Sequence, residues 1–321
     1  MDLIYQNKAG EDVGILPRCK LDLAYGEDEN DFELTLAAAD HCCEAGFYIY
    51  AEDTEYGGVV DDIQSDTAAG EVTYKGRSWH GVLNSKIIEP DAGADYLVLT
   101  GEANDLLNFL IRRLGLASLF AASGADSGLQ ITGYKMNRYI AAYDGIRKML
   151  STVAGKLRFV FQNGRVILSA HPRGDYTQDN ELDSDRMDFK AICHYRSVNH
   201  LICLGRGELA GREVIHLYSD AAGNVSKVQT IFGLEERAEI YENTGVESLD
   251  DLEEKGIERF KEIAQADEIT ASFDPEYDCY EVQDLVGATD NVTGLKVSAE
   301  ITKKIVTIEN DMVTISYKVG V

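Results

Sequence analysis

The chain has 321 residues, 45% of them hydrophobic and only 4 of them proline, so it is long enough for two or three packed domains and is a folded chain, not a disordered one. A formal charge of −26 at pH 7 argues against sequence-independent binding to DNA or RNA, which needs Lys and Arg to displace counterions from phosphates. The N-terminus lacks the basic and apolar regions of a secretory signal, and no run approaches the ~18 apolar residues that cross a bilayer, so a cytoplasmically made chain with no membrane association is expected.

Charge is unevenly spread. Asp and Glu far outnumber Lys and Arg in residues 1–62 and 235–290, whereas Lys and Arg outnumber them in 101–170. A solvated acidic surface explains this, and so does an oriented field. The six cysteines, Cys19, Cys42, Cys43, Cys193, Cys203 and Cys279, are too few and too irregularly spaced for a disulfide framework, so free thiols are expected.

In chain order, residues 1–88 read mostly as strand. Phe32, Leu34 and Leu36 alternate with Glu33 and Thr35, and Phe47 to Tyr50 form a short apolar run before an acidic turn. Val59, Val60 and Ile63 follow Gly57-Gly58, and after the polar run SDTAAG the alternating Glu71 to Lys75 completes a hairpin pattern. Gly76 allows a bend before Arg77, Ser78 and Trp79. Val82, Leu83, Ile87 and Ile88 then read as strand up to Pro90.

From Gly101 the period changes. Leu106, Leu107, Leu110, Ile111 and Leu114 predict one amphipathic helix, and Ile146, Met149, Leu150 and Val153 predict another over Asp144 to Lys156. Between them Ser123 to Gly133 is glycine-rich and polar, an exposed connection. Arg158 to Gln162 and Arg165 to Ser169 flank Asn163-Gly164, a pair that accepts the positive φ of a two-residue hairpin turn. A second antiparallel pair is expected from Leu201 to Leu204 and Val214 to Tyr218, with a turn at Ala221 to Asn224. Glu247 to Ala266 predicts a third helix: Ser248 and Asp251 make a capping pattern, and Leu249, Leu252, Phe260 and Ile263 an apolar stripe. Strands are expected near Tyr280 to Val286 and Lys296 to Glu300, with a hairpin from Ile301 to Ile308 and Met312 to Val319 turning at Asn310-Asp311.

No constellation in this sequence calls for reactive chemistry. His41-Cys42-Cys43 is a tight cluster of soft ligands, but zinc sites need spaced pairs such as Cys-x-x-Cys. Cys193-His194 and His200 would have to be brought together by the fold, since neighbours on a strand face opposite sides. Gly205-Arg206-Gly207 through Gly211 places its third glycine one position late for a dinucleotide fingerprint. Glu27 to Asp31 lacks the ligand spacing and mid-loop glycine of a calcium loop. Neither a catalytic group, a metal site nor a cofactor is expected. Arg77 and Trp79 admit two readings, packing with a local ion pair or an anchor at a subunit contact, where Arg and Trp are enriched.

The order YGGVVD, hairpin, GRSW, KIIEP and GEAN resembles the tail proteins at the host-facing end of long-tailed phages and prophages of Gram-positive bacteria. His200 to Leu209, Val214 to Tyr218, Thr302 to Ile308 and Ser316 to Gly320 match in order too, so the resemblance spans nearly the whole chain. It implies an α+β, β-rich, multi-domain architecture like the tail hub, in which small β-barrel-like domains from three subunits close a ring. On that analogy residues 1–89 supply one barrel-like ring domain and 272–321 the second. A helical segment, 90–157, a hairpin-rich segment, 158–246, and a helix, 247–271, lie between them.

The resemblance places Gly57, Gly58, Gly76 and Arg77 at the family's turn and bend positions, and Lys303 and Lys304 in its closing strand. With Trp79 these are the expected structural and interface residues. It further implies a non-enzymatic virion protein at the tail tip, a homotrimer contacting the distal tail ring, the tape-measure protein and receptor-binding or spike proteins. DNA would pass through the lumen, and acidic flanks lining that channel would keep it from sticking. Peptidoglycan-cutting activity would lie on another polypeptide. Two alternatives stay open: a tail-associated cell-wall hydrolase domain, and a β-rich binding module unrelated to phage.

Overall fold

A computed structural model describes residues 1–183, 188–191, 198–220, 223–246, 248–264, 268–272, 280–289, 296–309 and 312–320. Its first seven strands are β1 (Ile4–Gln6), β2 (Asp12–Ile15), β3 (Cys19–Gly26), β4 (Asp31–Ala37), β5 (Tyr48–Tyr50), β6 (Gly57–Asp66) and β7 (Glu71–Ser78). Alternation sets their faces: in β4, Phe32, Leu34 and Leu36 are buried while Asp31 and Glu33 are exposed.

The segment after β7 departs from expectation. Trp79–Asn84, read as strand, is a short helix, α1. Ser78 ends β7 in an extended conformation and caps that helix, its Oγ accepting from the Gly81 N–H at 3.2 Å. Only Ile87–Ile88 remain strand, β8.

The helical stretch follows as β9 (Leu97–Glu102), α2 (Ala103–Arg113), β10 (Phe120–Ala122), β11 (Gln130–Met136), β12 (Ile140–Ala141) and α3 (Ala142–Ser151). Glu102 caps α2 by accepting from the Asp105 N–H at 3.0 Å, and Leu106, Leu107, Leu110 and Ile111 form its buried stripe. Residues 123–133 are a connection only in part, since Gln130 and Ile131 pair with Glu102 and Gly101. The helix α3 stops short of Lys156 because Ala154 turns to φ +52° and Gly155 opens a strand.

Next come β13 (Gly155–Gln162) and β14 (Arg165–Pro172), paired antiparallel as expected, with Asn163 and Gly164 at φ +51° and +74° in the turn. Two further strands, β15 (Asp175–Asp183) and β16 (Asp188–Ala191), precede β17 (His200–Leu204), β18 (Val214–Ser219), β19 (Val225–Ser226), β20 (Ala238–Glu242) and the helix α4 (Leu249–Ala264). The Ser248 cap is present, its Oγ accepting from the Asp251 N–H at 3.1 Å. Residues 221–222, 247 and 265–266 of the expected turn and helix lie outside the described residues. The chain closes with β21 (Glu268–Ser272), β22 (Leu285–Thr289), β23 (Lys296–Glu309) and β24 (Met312–Gly320). The strand expected from Tyr280 begins only at Leu285, after a turn in which Gln283 takes φ +80°. The two pieces expected at 296–300 and 301–308 are one strand, β23, and its turn at Asn310-Asp311 lies outside the described residues.

The chain divides into two units. Met1–Phe189 with Thr270–Val319 make the first. Its main sheet runs, from one edge, β2-β1-β5-β6-β7-β4-β3-β23-β24, so the two ends of the chain share one sheet, β23 lying antiparallel to β3 from Lys303↔Gly26 to Glu309↔Lys20. Among the described residues this order is an open path, and no closed barrel is formed. Strands β10, β14 and β13 form a separate sheet against which α2 and α3 pack. Trp79, Leu107, Leu110, Tyr143, Met149, Phe159 and Phe161 lie at the centre of that core. The second unit, Lys190–Ile269, is a four-stranded sheet ordered β19-β18-β17-β20 with α4 on one face. Gly256 lets the helix approach: a Cβ there would lie 2.6 Å from Cys203 Sγ.

Candidate assembly elements

The glycine-rich block is a lesson in close approach. In the β6–β7 ladder the register shifts between Val60 and Asp62, leaving Asp61 as a bulge residue. A Cβ on Gly76 would sit 1.9 Å from the Val59 carbonyl oxygen, and one on Gly58 would sit 2.2 Å from that of Arg77. Gly57, at φ +159°, holds the chain 2.5 Å (as a Cβ) from the Ile49 carbonyl and 2.7 Å from Trp79 Nε1. These glycines admit backbone where a side chain would stand.

The bulge also aims Asp61 at Arg77. Its carboxylate accepts from Arg77 Nη2 at 2.7 Å, Nε at 2.8 Å and the backbone N–H at 3.1 Å. Hydrogen bonding from Arg77 holds the Asp61 carboxyl below its usual range. Trp79 is fully buried, stacked on Phe161 with ring centroids 5.3 Å apart. Within the chain, Trp79 is thus a core residue and Arg77 half of a local ion pair.

Lys303 and Lys304 come next on β23, and both are buried. Lys303 pairs with Glu29 and Lys304 with Glu55, the latter at 3.1 Å. Glu55 also accepts a hydrogen bond from Tyr25 and lies 3.8 Å from His80 Nε2. His80 is sandwiched between Tyr25, at 4.1 Å, and Phe159, at 3.9 Å. Burial, then the nearby charges of Arg147 and Lys304, hold its imidazole well below the ordinary value, so the ring is neutral and its approach to Glu55 is a dipolar contact.

A second buried cluster escaped sequence reasoning. Lys156 Nζ donates to Asp284 at 2.8 and 2.9 Å and reaches Glu281 at 2.6 Å, and Asp284 also accepts from the Gly174 N–H at 2.6 Å. Gln283 accepts from the Leu157 N–H at 3.3 Å and donates to Ser151 Oγ at 2.9 Å. No local signal marks these pairs, because their partners lie more than a hundred residues apart in sequence.

The chemistry-bearing motifs resolve into structure. Tyr74 hydroxyl accepts from the Cys42 and Cys43 N–H groups at 3.0 and 3.1 Å and meets His41 Nδ1 at 2.7 Å. Burial pushes the Cys43 thiol up strongly, which makes it unreactive. The Gly205–Gly211 segment is a bend between β17 and β18, and Cys193-His194 lies outside the described residues. A cavity of about 530 Å³ in the first unit is lined by Glu55, Arg158, Glu281 and Lys304 among others, and these form two ion pairs, Lys304 with Glu55 at 3.1 Å and Arg158 with Glu281 at 2.9 Å. Among the described residues no group of three or more His, Cys, Asp or Glu could hold a metal, and no helix is long and apolar enough to cross a membrane.

No protein-family model matches the sequence, and no curated protein does. Solved structures do match. A tail protein from Neisseria meningitidis MC58 superimposes with a TM-score of 0.53 at 11% identity, covering 100% of this chain and 96% of that one. The tail protein of prophage MuSo2 from Shewanella oneidensis gives 0.59 at 12% identity, with 99% and 98% covered. The prophage tail protein gp18 from Listeria monocytogenes EGD-e gives 0.54 at 10% identity, with 100% and 94% covered. The chain therefore has, end to end, the β-rich fold of these three proteins.

Proposed function

We propose that this chain is a non-enzymatic structural protein of a phage or prophage tail, a virion component that acts by contacting other tail proteins. The observation that carries the reading is the extent of the match: three tail proteins from different bacteria are covered over 94–98% of their length by 99–100% of this chain. At such low identity the likeness concerns fold, so function is inferred by analogy. The internal pairing of the buried charges supports it, since a catalytic constellation keeps groups turned toward a substrate.

Within that reading we place the chain at the tail tip, as a hub of three copies bridging the end of the tube to the host-recognition apparatus, with acidic flanks toward a DNA-conducting lumen. Barrel-like ring domains would then be completed between subunits, using strands from residues 1–89 and 272–321. The Gly57, Gly58, Gly76 and Arg77 block with Trp79, Lys303 and Lys304 would hold those strands in shape for assembly. Deleting the gene in an inducible lysogen tests the function: the expected product is heads with absent or unfinished tails, restored by complementation. Complete, infective particles from the deletion strain would refute it.

A further inference from the structure

We propose that Glu236, His200 and His216 form a proton-operated latch across the outer face of the second unit's sheet, closed at neutral pH and opened by acid. The proposal is independent of the tail reading. Along β17, Leu201 and Cys203 pack toward α4, so by alternation His200 and Ile202 stand on the opposite face, with His216 and Tyr218 beside them on β18. His200 is 8% exposed and His216 is exposed. Three neighbouring segments are tied there: His200 Nδ1–H donates to Glu236 Oε1 at 2.6 Å, before β20, and His200 Nε2 lies 2.8 Å from His216 Nδ1.

Proton accounting gives the device. A carboxylate only accepts, so His200 Nδ1 carries a hydrogen. The remaining nitrogen-to-nitrogen contact has room for one proton, donated from either ring. Both neutral rings satisfy it, and so does a pair with one added proton, whose positive charge Glu236 balances. A second added proton sets N–H against N–H and places two cations in contact, which breaks the bond.

The surroundings offer little relief. Tyr218 stacks on His200 at 4.4 Å and on His216 at 6.3 Å, and Ala238 faces His200 on β20. Glu235 and Arg237 flank Glu236 in sequence, Ser226 on β19 pairs with Tyr218, and Arg212 and Arg206 are engaged by Glu242 and Glu213. Asn199 fastens the same turn through backbone and side chain, donating to the carbonyls of Arg237 at 3.0 Å and Glu235 at 2.7 Å. Opening therefore loosens the junction of β17, β18 and residues 235–237 without unfolding the unit.

Hydrogen exchange on the full chain tests this. Exchange, corrected for intrinsic rates, should quicken at least fivefold in residues 198–204 and 214–220 between pH 7 and pH 5, and less than twofold in His216→Gln. Protection in the wild-type protein unchanged between pH 7 and pH 5 would overturn the latch, and that comparison decides even where the variant fails to fold.

Discussion

Histidine 80 shows how a residue's environment sets its behaviour. It sits between two aromatic rings at 2% exposure, and a base whose folded pKa is depressed gives way as acid is added. The unfolded chain takes up the proton near the ordinary value of about 6.5, the folded chain only lower, so stability is full above that value and declines below it by about 1.4 kcal/mol per pH unit. His80→Phe keeps a planar ring and removes the proton. Urea unfolding at pH 7 and pH 5 should show a smaller acid loss in the variant than in the wild type, and equal losses would contradict the neutral buried ring. The Lys156–Asp284 pair, with Asp284 fully buried, makes a second prediction. Lys156→Met leaves a buried carboxylate without its cation and should cost about 3–5 kcal/mol, much of it recovered when Asp284→Asn is added. Urea midpoints of the single and double variants check this. Neither residue could be singled out from sequence, because burial of a charge depends on partners that only the fold brings near.

Local elements were legible where short-range chemistry decides them. Asn163-Gly164 specifies its turn through φ, the leucines after Gly101 specify α2 through their spacing, and Ser248 specifies the start of α4. The helix α1 leaves no such trace, because Val82, Leu83, Ile87 and Ile88 fit a strand equally well and its cap, Ser78, stands between a bend and the only tryptophan. The glycines of the 57–76 block could be located but not explained, since the carbonyls they admit come from facing strands. Their cost is predictable from geometry. Gly76→Ala, whose Cβ would meet the Val59 carbonyl at 1.9 Å, should destabilise by at least about 2 kcal/mol. Gly124→Ala, with open space around it, should lie within about 0.5 kcal/mol of wild type by thermal or urea unfolding. In the second unit Gly256→Ala should destabilise by about 1–3 kcal/mol although alanine favours helix, because the methyl group collides with Cys203 Sγ. Burial pushes that thiol up to about 11, so its labelling rate by a thiol reagent reports the loosening directly.

At the scale of the molecule, the β-rich character and the likeness to tail proteins could be read from motif order, while the joining of the chain's two ends could not. The resemblance implies one barrel-like ring domain at residues 1–89 and a second at 272–321; within one chain β23 lies beside β3 in a sheet that is an open path among the described residues. Long-range pairing of this kind leaves no periodic trace in either strand. The unpaired edge of an open sheet offers backbone groups to which a further strand can add, which is the kind of contact the proposed tail role would use. Gold-labelled antibody against this chain, applied to purified particles and viewed by electron microscopy, tests the account most directly. It predicts label on the tail, concentrated at the end away from the head; intact tailed particles that carry none of this chain, by labelling and by mass spectrometry, would contradict it.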